Sequence, residues 1–190
     1  VSVFEQSAPE ALRWQFKHYP DENHFTTALP AFYDALQFLA PGYAVDGGAM
    51  LDIGDYKQVL AHLKTLRSQW GGFQFEWLHA YQFAKYMFWS KQVEKIDDAM
   101  ALIAADFPES TAMVGVHLAN GLNKKNQYEK AKALLASIKA EGQALPGWHR
   151  QMSLVYKALN ETSRATEHQE KALMLAKQYQ FASWEVWELQ

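Results

Sequence analysis

The chain has 190 residues, of which 49% are apolar and 21% are charged, with a formal net charge of −3 and no cysteine. This length accommodates one domain, or one domain with part of another, and the apolar content supplies a sizeable core. A weak negative charge without a basic block argues against a dedicated nucleic-acid binder, and the lack of cysteine excludes disulfides and thiol chemistry. No apolar run approaches the roughly 20 residues that a membrane span needs, and no signal peptide is visible, so the pattern fits either cytoplasm or periplasm.

The beginning of the chain has a mixed pattern. Residues 12–19 alternate apolar and polar side chains, which predicts a short β-strand. A polar turn follows at 20–24, and apolar residues at helical spacing then predict a helix over 29–39. The Asp-Gly-Gly at residues 46–48 is interpreted as a connector. A lone strand with unpaired edges is unstable, so we expect residues 12–19 to be disordered, helical or paired with another chain.

Beyond residue 48 almost every segment has the periodicity of an amphipathic helix, and no strand is predicted. Short polar or Gly/Pro breaks separate the helices. The predicted helices span residues 56–70, 75–90, 92–106, 110–122, 127–141, 146–160 and 162–180.

Apolar and small residues recur in this region at intervals of 34 or 35 positions. The recurring sets are Ile96, Ala131 and Ala165, then Met100, Leu135 and Gln169, then Ile103, Ile138 and Ala172 on the second helices, and Phe83, Leu118 and Met152 on the first helices. Such a period indicates stacked helical hairpins.

A period near 34 residues, with a small, a larger and then a small residue on each second helix, resembles the tetratricopeptide repeat. Small residues let two antiparallel helices approach closely, while the larger side chain fills the groove toward the next pair. The resemblance implies an all-α solenoid with about three helix pairs across residues 75–180. The chain departs from the pattern where the Trp-Leu-Gly-Tyr signature of the first helix is degraded and where Gln169 replaces a large apolar residue.

The stretch Tyr-Pro-Asp-Glu-Asn-His-Phe-Thr-Thr at residues 19–27, followed by a helix containing Tyr-Asp, resembles the end of α/β-hydrolase esterases related to siderophore esterases. In that family the last strand leads into a loop ending in Asp/Glu-x-His, and this histidine completes a catalytic triad. The resemblance implies that residues 1–44 are the last strand, histidine loop and last helix of a hydrolase domain, that residues 45–190 are the repeat domain, and that His24 is the catalytic general base. Phe25 departs from the family, where the residue after the histidine is often small.

A triad histidine acts as a base only when it faces a nucleophile and is oriented by a carboxylate. In α/β-hydrolases the chain order is nucleophile, acid, histidine. The sequence contains no Gly-x-Ser-x-Gly elbow, and Asp21 and Glu22 are too close to His24 along the chain to orient it. The resemblance therefore predicts that nucleophile and acid precede Val1 and that this chain is inactive by itself. The alternative for His24 is a solvated loop histidine without a role.

Five further histidines lack the spacing of metal ligands, and no Gly-rich phosphate loop is present, so no metal or cofactor site is predicted. They are interpreted as packed or solvated residues of helices. These histidines are His62, His79, His117, His149 and His168.

Aromatic residues are concentrated near the helix predicted at 75–90, and the end of the chain is also apolar. The first group predicts a central helix buried nearly all round, with a ligand groove or a surface docked on the hydrolase domain as alternatives. The second group is predicted to cap the last repeat, with an exposed interface as the alternative. The two groups are Phe73, Phe75, Trp77, Tyr81, Phe83, Tyr86, Phe88 and Trp89, and Phe181, Trp184, Val186, Trp187 and Leu189.

Two classes of function remain. In the first, the parent protein is a carboxylic-ester hydrolase, and the repeat docks on that upstream hydrolase domain or binds another partner. In the second, the chain is a non-catalytic module that captures a peptide on the concave face of its repeats, or forms a homo-oligomer through its aromatic surface. Convergent Asn, Lys or Arg side chains would favour peptide capture, whereas a flat apolar face would favour oligomerisation.

Overall fold

The computed structural model describes residues 2–40, 42–43, 45–70, 75 and 77–178. Within these ranges the regular structure is helical throughout and no strand is formed, which confirms the all-α prediction. The chain divides into two compact units, residues 1–44 and residues 45–190.

The first unit contains α1 (Ser2–Ser7) and α2 (Ala28–Leu39), so the helix expected over 29–39 is present. The strand expected over residues 12–19 is wrong, because this segment forms neither strand nor helix. A strand needs a neighbour to accept and donate its backbone hydrogen bonds, and the described residues offer none. Side-chain contacts with α2 hold the segment instead.

The second unit consists of nine α-helices among the residues that the structure describes. They are α3 (Gly47–Ile53), α4 (Tyr56–Trp70), α5 (Trp77–Trp89), α6 (Ile96–Asp106), α7 (Thr111–Lys124), α8 (Tyr128–Ser137), α9 (Lys139–Gly142), α10 (Pro146–Ala158) and α11 (Thr162–Gln178). Short 3-10 turns at Val93–Lys95 and Pro108–Ser110 precede α6 and α7. Helix α7 lies at the centre, where it packs against α5, α6, α8 and α10.

Residues 46–48 begin a helix, so their interpretation as a connector is wrong. The Asp46 carboxylate accepts a hydrogen bond from the backbone N–H of Ala49 at 2.8 Å, which caps the N-terminus of α3. Gly47 then lets α3 approach α5, because a Cβ at this position would lie 2.9 Å from the ring of Trp89. Gly47 therefore serves close helix packing.

The first helix of each pair ends in the same turn. Lys91, Asn126 and Asn160 have φ values of 60°, 58° and 61°, in the left-handed region, and they recur at the repeat interval. The backbone N–H of the next residue then donates to the carbonyl five residues before it, which is the 6→1 bond of a Schellman motif. These bonds run from Gln92 to Met87 at 2.9 Å, from Gln127 to Leu122 at 2.9 Å and from Glu161 to Tyr156 at 2.8 Å.

The recurring positions predicted from the sequence form the core of the second unit. Of the twelve residues, eleven are buried, and only Gln169 is partly exposed. A further set of small residues, Ala84, Ala119 and Ser153, recurs next to the first-helix set and is also buried. Small side chains at equivalent places keep the packed helices close together.

Helix α5 is less buried than its composition predicts. Phe83 and Tyr86 are fully buried, but Leu78, Tyr81 and Trp89 are 48%, 38% and 53% exposed. The expectation of burial nearly all round is therefore wrong. Helices α3 and α7 pack against α5 and leave one side of it open. The predicted cap at residues 181–189, like Phe73 and the side chain of Trp77, lies outside the described residues.

Candidate functional site

The turn that carries His24 is fixed by its neighbour Asn23. The Asn23 side-chain oxygen accepts a hydrogen bond from the N–H of Phe25 at 2.9 Å. Its backbone carbonyl accepts from the N–H of Thr27 at 2.9 Å and from the Thr27 hydroxyl at 2.6 Å, while its own N–H donates to the Thr26 hydroxyl at 2.9 Å. His24 thus sits in a defined turn immediately before α2.

The side chain of His24 is exposed. Its ring contacts that of Phe25 edge-on, with centroids 5.4 Å apart, and Phe25 is itself 91% exposed. No carboxylate within the described ranges forms a hydrogen bond with His24. The structure therefore brings the predicted base to an accessible place but supplies no orienting acid from these residues.

A polar clamp joins the segments on either side of the His24 turn. The Tyr19 hydroxyl donates to the Asp34 carboxylate at 2.6 Å, and the Lys17 ammonium lies 2.5 Å from the same oxygen. The Arg13 guanidinium donates to the carbonyl of Phe38 at 2.6 Å and lies 5.0 Å from the centre of its ring. The hydrogen bond from Lys17 lowers the pKa of Asp34, and the hydrogen bond to Asp34 raises the pKa of Tyr19 to about 12.

Helix α2 buries none of its residues, although most of them are apolar. An uncovered apolar helix is unusual, because the apolar side of a helix normally packs against other elements. On α2 the most exposed large apolar side chains are those of Leu29, Phe32, Tyr33, Leu36 and Leu39, which are 80%, 64%, 62%, 49% and 58% exposed.

The second unit brings together two histidines that sequence reasoning did not connect. His149 on α10 and His168 on α11 approach with their Nδ1 atoms 2.9 Å apart, and His149 Nε2 lies 3.0 Å from the carbonyl oxygen of Gln143. The rings of Trp148 and Tyr156 contact the ring of His168, with centroids at 5.6 and 5.3 Å. Burial lowers the pKa of both histidines below the ordinary value. Their similar distances along the chain from the turn at residue 160 are the signal that could have paired them.

A cavity of about 480 Å³ lies beside this pair. Its walls are acidic and basic as well as apolar, which suits a solvated space more than an apolar ligand pocket. The lining residues are His149, Glu167, His168, Glu170, Lys171 and Met174.

The first helices of the three pairs lie side by side and carry only positive charge. No aspartate or glutamate occurs in α5, α7 or α10, whereas these helices contain Lys85, Lys124, Arg150 and Lys157. On α5 the ammonium of Lys85 lies 5.2 Å from the ring centre of Tyr81 and 4.5 Å from that of Trp89. We call this surface the first-helix face. It combines exposed aromatic rings with cations.

His117 on α7 lies beside the first-helix face. Its ring contacts that of Tyr81, with centroids 5.8 Å apart, and burial lowers its pKa to about 4. His117 is therefore neutral near neutral pH and adds no charge to the surface.

Neither a metal cluster nor a membrane helix is found in the described ranges. There, no group of three or more His, Asp or Glu side chains could hold a metal ion. No described helix is both long and apolar enough to cross a bilayer. Comparisons with models of protein families, with curated proteins and with solved structures find no match to the chain.

Proposed function

We propose that residues 1–44 form the end of an α/β-hydrolase esterase domain, with His24 as the general base, and that residues 45–190 form a tetratricopeptide-like repeat attached to it. The observation that carries the proposal is the arrangement around His24. A clamp of polar side chains holds residues 12–19 and α2 on either side of the histidine turn, while α2 leaves its apolar side chains without a partner. A hydrolase sheet would cover such a helix and would pair residues 12–19 as its last strand.

In this proposal His24 moves one proton twice. It takes the proton of a nucleophilic hydroxyl as that oxygen attacks the ester carbonyl, and it then gives the proton to the leaving alkoxide as the carbon–oxygen bond breaks. Water repeats the cycle to release the acid. The nucleophile and the orienting carboxylate would come from a segment that precedes this chain, in the order usual for α/β-hydrolases.

The turn geometry suits this role because it fixes the backbone of the base. The hydrogen bonds of Asn23 fix the backbone from which the His24 side chain projects, so little conformational entropy of this backbone is lost when the substrate binds. Phe25, exposed beside the ring, would contact the substrate or the wall of its pocket. We therefore propose that the ester carries an apolar group close to the reacting carbonyl.

The test measures hydrolysis of p-nitrophenyl esters by a longer protein in which a hydrolase domain precedes this chain, with His24→Gln and, as the matched control, His18→Gln. Both histidines are exposed and lie in the same unit. We expect kcat to fall by at least about 10³-fold for His24→Gln and to stay unchanged for the control. Labelling by a fluorophosphonate reports the nucleophile independently of the ester chosen. An inactive, unlabelled longer protein, or equal activity of both variants, would contradict the proposal.

A second function is favoured by a different observation, the first-helix face. Lysine and arginine on helices that contain no acidic residue, together with exposed rings and the partly exposed Asn120, match the surface expected of peptide capture. We propose that this face binds an extended acidic peptide, either within the parent protein or in another chain. The attraction should weaken with salt.

Binding of fluorescent acidic peptides to the chain, followed by anisotropy, tests the second function. Lys85→Ala should weaken binding about tenfold, since it removes a cation between two rings. Lys177→Ala, on a second helix, is the matched control and should leave affinity unchanged. Equal binding of basic peptides, or dimerisation of the chain in sedimentation with no peptide binding, would contradict it.

A further inference from the structure

The hydrogen atoms of the His149–His168 pair follow from its partners. The carbonyl of Gln143 can only accept, so His149 Nε2 carries a hydrogen. In neutral His149 the Nδ1 atom is then bare, and it accepts the hydrogen bond from His168 Nδ1–H across 2.9 Å. His168 Nε2 consequently keeps its lone pair.

The contact has room for one extra proton but not for two. A single added proton leaves one Nδ1 atom bare, on either ring, so the Nδ1–Nδ1 hydrogen bond persists. A second added proton puts hydrogen on both Nδ1 atoms, and these donors then face each other at 2.9 Å with like charges. The contact cannot survive in that form.

We propose that His149 and His168 form a proton-operated clasp between α10 and α11, which stays closed with up to one extra proton and opens when a second proton binds. Opening separates the facing sides of α10 and α11 and widens the cavity beside them. The last described helix pair thereby becomes an acid-sensitive part of the repeat.

The charged groups around the clasp offer no substitute for the hydrogen bond between the two Nδ1 atoms. On α11, Glu167 favours the protonated form of both rings, Lys171 opposes protonation of His149, and Glu170 lines the same cavity. From α8, Lys132 lies over the ring of Tyr156, which contacts His168, and Arg164 of α11 lies over the same ring. On α10, Arg150 directly follows His149 in the sequence. After α9, Gln143 contributes only a neutral carbonyl. On α7, the ring of His117 contacts Tyr81.

Burial sets the pH range in which the clasp acts. Because burial lowers the pKa of both rings, the pair is neutral above the ordinary histidine pKa near 6.5, and opening requires a pH below that value. Once the open state holds one proton more than the closed state, the opening constant rises about tenfold for each unit of pH.

Hydrogen exchange of the full chain between about pH 8 and about pH 4.5, corrected for intrinsic exchange, tests the clasp. Amides of α11 should lose protection about tenfold per pH unit in the acidic part of the range, ahead of those in α8, whereas the double variant His149→Gln/His168→Gln should abolish that slope at whatever protection the variant has. His62→Gln, on α4 in the same unit, is the matched control and should keep the slope.

Two outcomes would overturn the clasp. One is a wild-type α11 whose corrected protection is flat with pH, and the other is a slope that survives in the double variant. Imidazole NMR of the folded wild type gives an independent reading. Two histidine titrations separated by more than about one unit, collapsing to one in His149→Gln, are expected, and two unlinked titrations would contradict the pair.

Discussion

Helices α2 and α7 show how little an apolar sequence says about burial. Both are regular helices of similar length, and α2 is on average the more apolar. Yet α7 buries most of its residues between its neighbouring helices, while α2 buries none. The pattern of side chains specifies a helix, but burial depends on whether other elements arrive to cover it. In the second unit they do, and in the first unit they are not among the described residues.

Shortening one leucine in each helix tests this difference in burial most directly. Leu118 is fully buried in α7, so Leu118→Ala should lower the free energy of unfolding by about 2–5 kcal/mol. Leu36 is 49% exposed in α2, so Leu36→Ala should change it by less than about 0.5 kcal/mol. Urea denaturation of this chain measures both.

Leu36→Ala also tests the proposal for α2. If this chain is joined to a hydrolase domain, Leu36→Ala should become destabilising in the joined protein, because the hydrolase sheet would bury that side chain. If Leu36→Ala remained neutral there, α2 would be a solvated helix and the hydrolase proposal would lose its main support.

Acid should weaken the second unit through His117. Burial lowers its pKa from 6.5 to about 4, so between these pH values His117 binds a proton in the unfolded chain but not in the folded chain. The contribution of His117 to the free energy of unfolding is fully present above pH 6.5, and up to about 3 kcal/mol of it is lost as the pH falls toward 4.

His117→Gln should flatten that part of the pH dependence measured by denaturation. The exposed His18 in the first unit supplies the control substitution, His18→Gln. Identical curves for the two variants would show that His117 has an ordinary pKa in the folded chain.

The smallest expected effect concerns the repeated turn. Lys91 has a φ of 60°, where asparagine is tolerated better than lysine, and asparagine occupies the equivalent positions 126 and 160. Lys91→Asn should therefore raise the thermal midpoint, with a gain of up to about 1 kcal/mol. Lys125→Asn, where φ is −98°, should give no gain. A loss at residue 91 would mean that the lysine side chain contributes more than the turn strain costs.

Much of the second unit could be predicted from the sequence because its signals are local or periodic. The helix over 56–70 has the bounds given by its apolar stripe, and the repeat interval located the buried faces of six helices. The helix α3 was missed because a glycine pair usually marks a connector. The ring of Trp89, which is remote in the sequence, leaves no room for a side chain at residue 47, and this is why the helix has a glycine there.

The candidate sites depend on contacts that sequence spacing does not give. The likeness to hydrolases selected His24, and its role stays a prediction because the described residues bring it no nucleophile or acid. The histidine pair was missed because 19 positions separate His149 from His168, and no ligand motif has that spacing. The turn at Asn160 creates the pair by reversing the chain between them.

The recurring left-handed turn also limits how this chain can change in length. Each turn closes on its own helix through a bond within six residues, so a cut made there leaves neighbouring helices intact. Duplication or deletion between two equivalent turns would add or remove one whole helix pair and keep every later side chain on its original face. An insertion of a few residues inside a helix would instead rotate everything beyond it by about 100° per residue. The natural unit of tolerated insertion or loss is therefore one repeat.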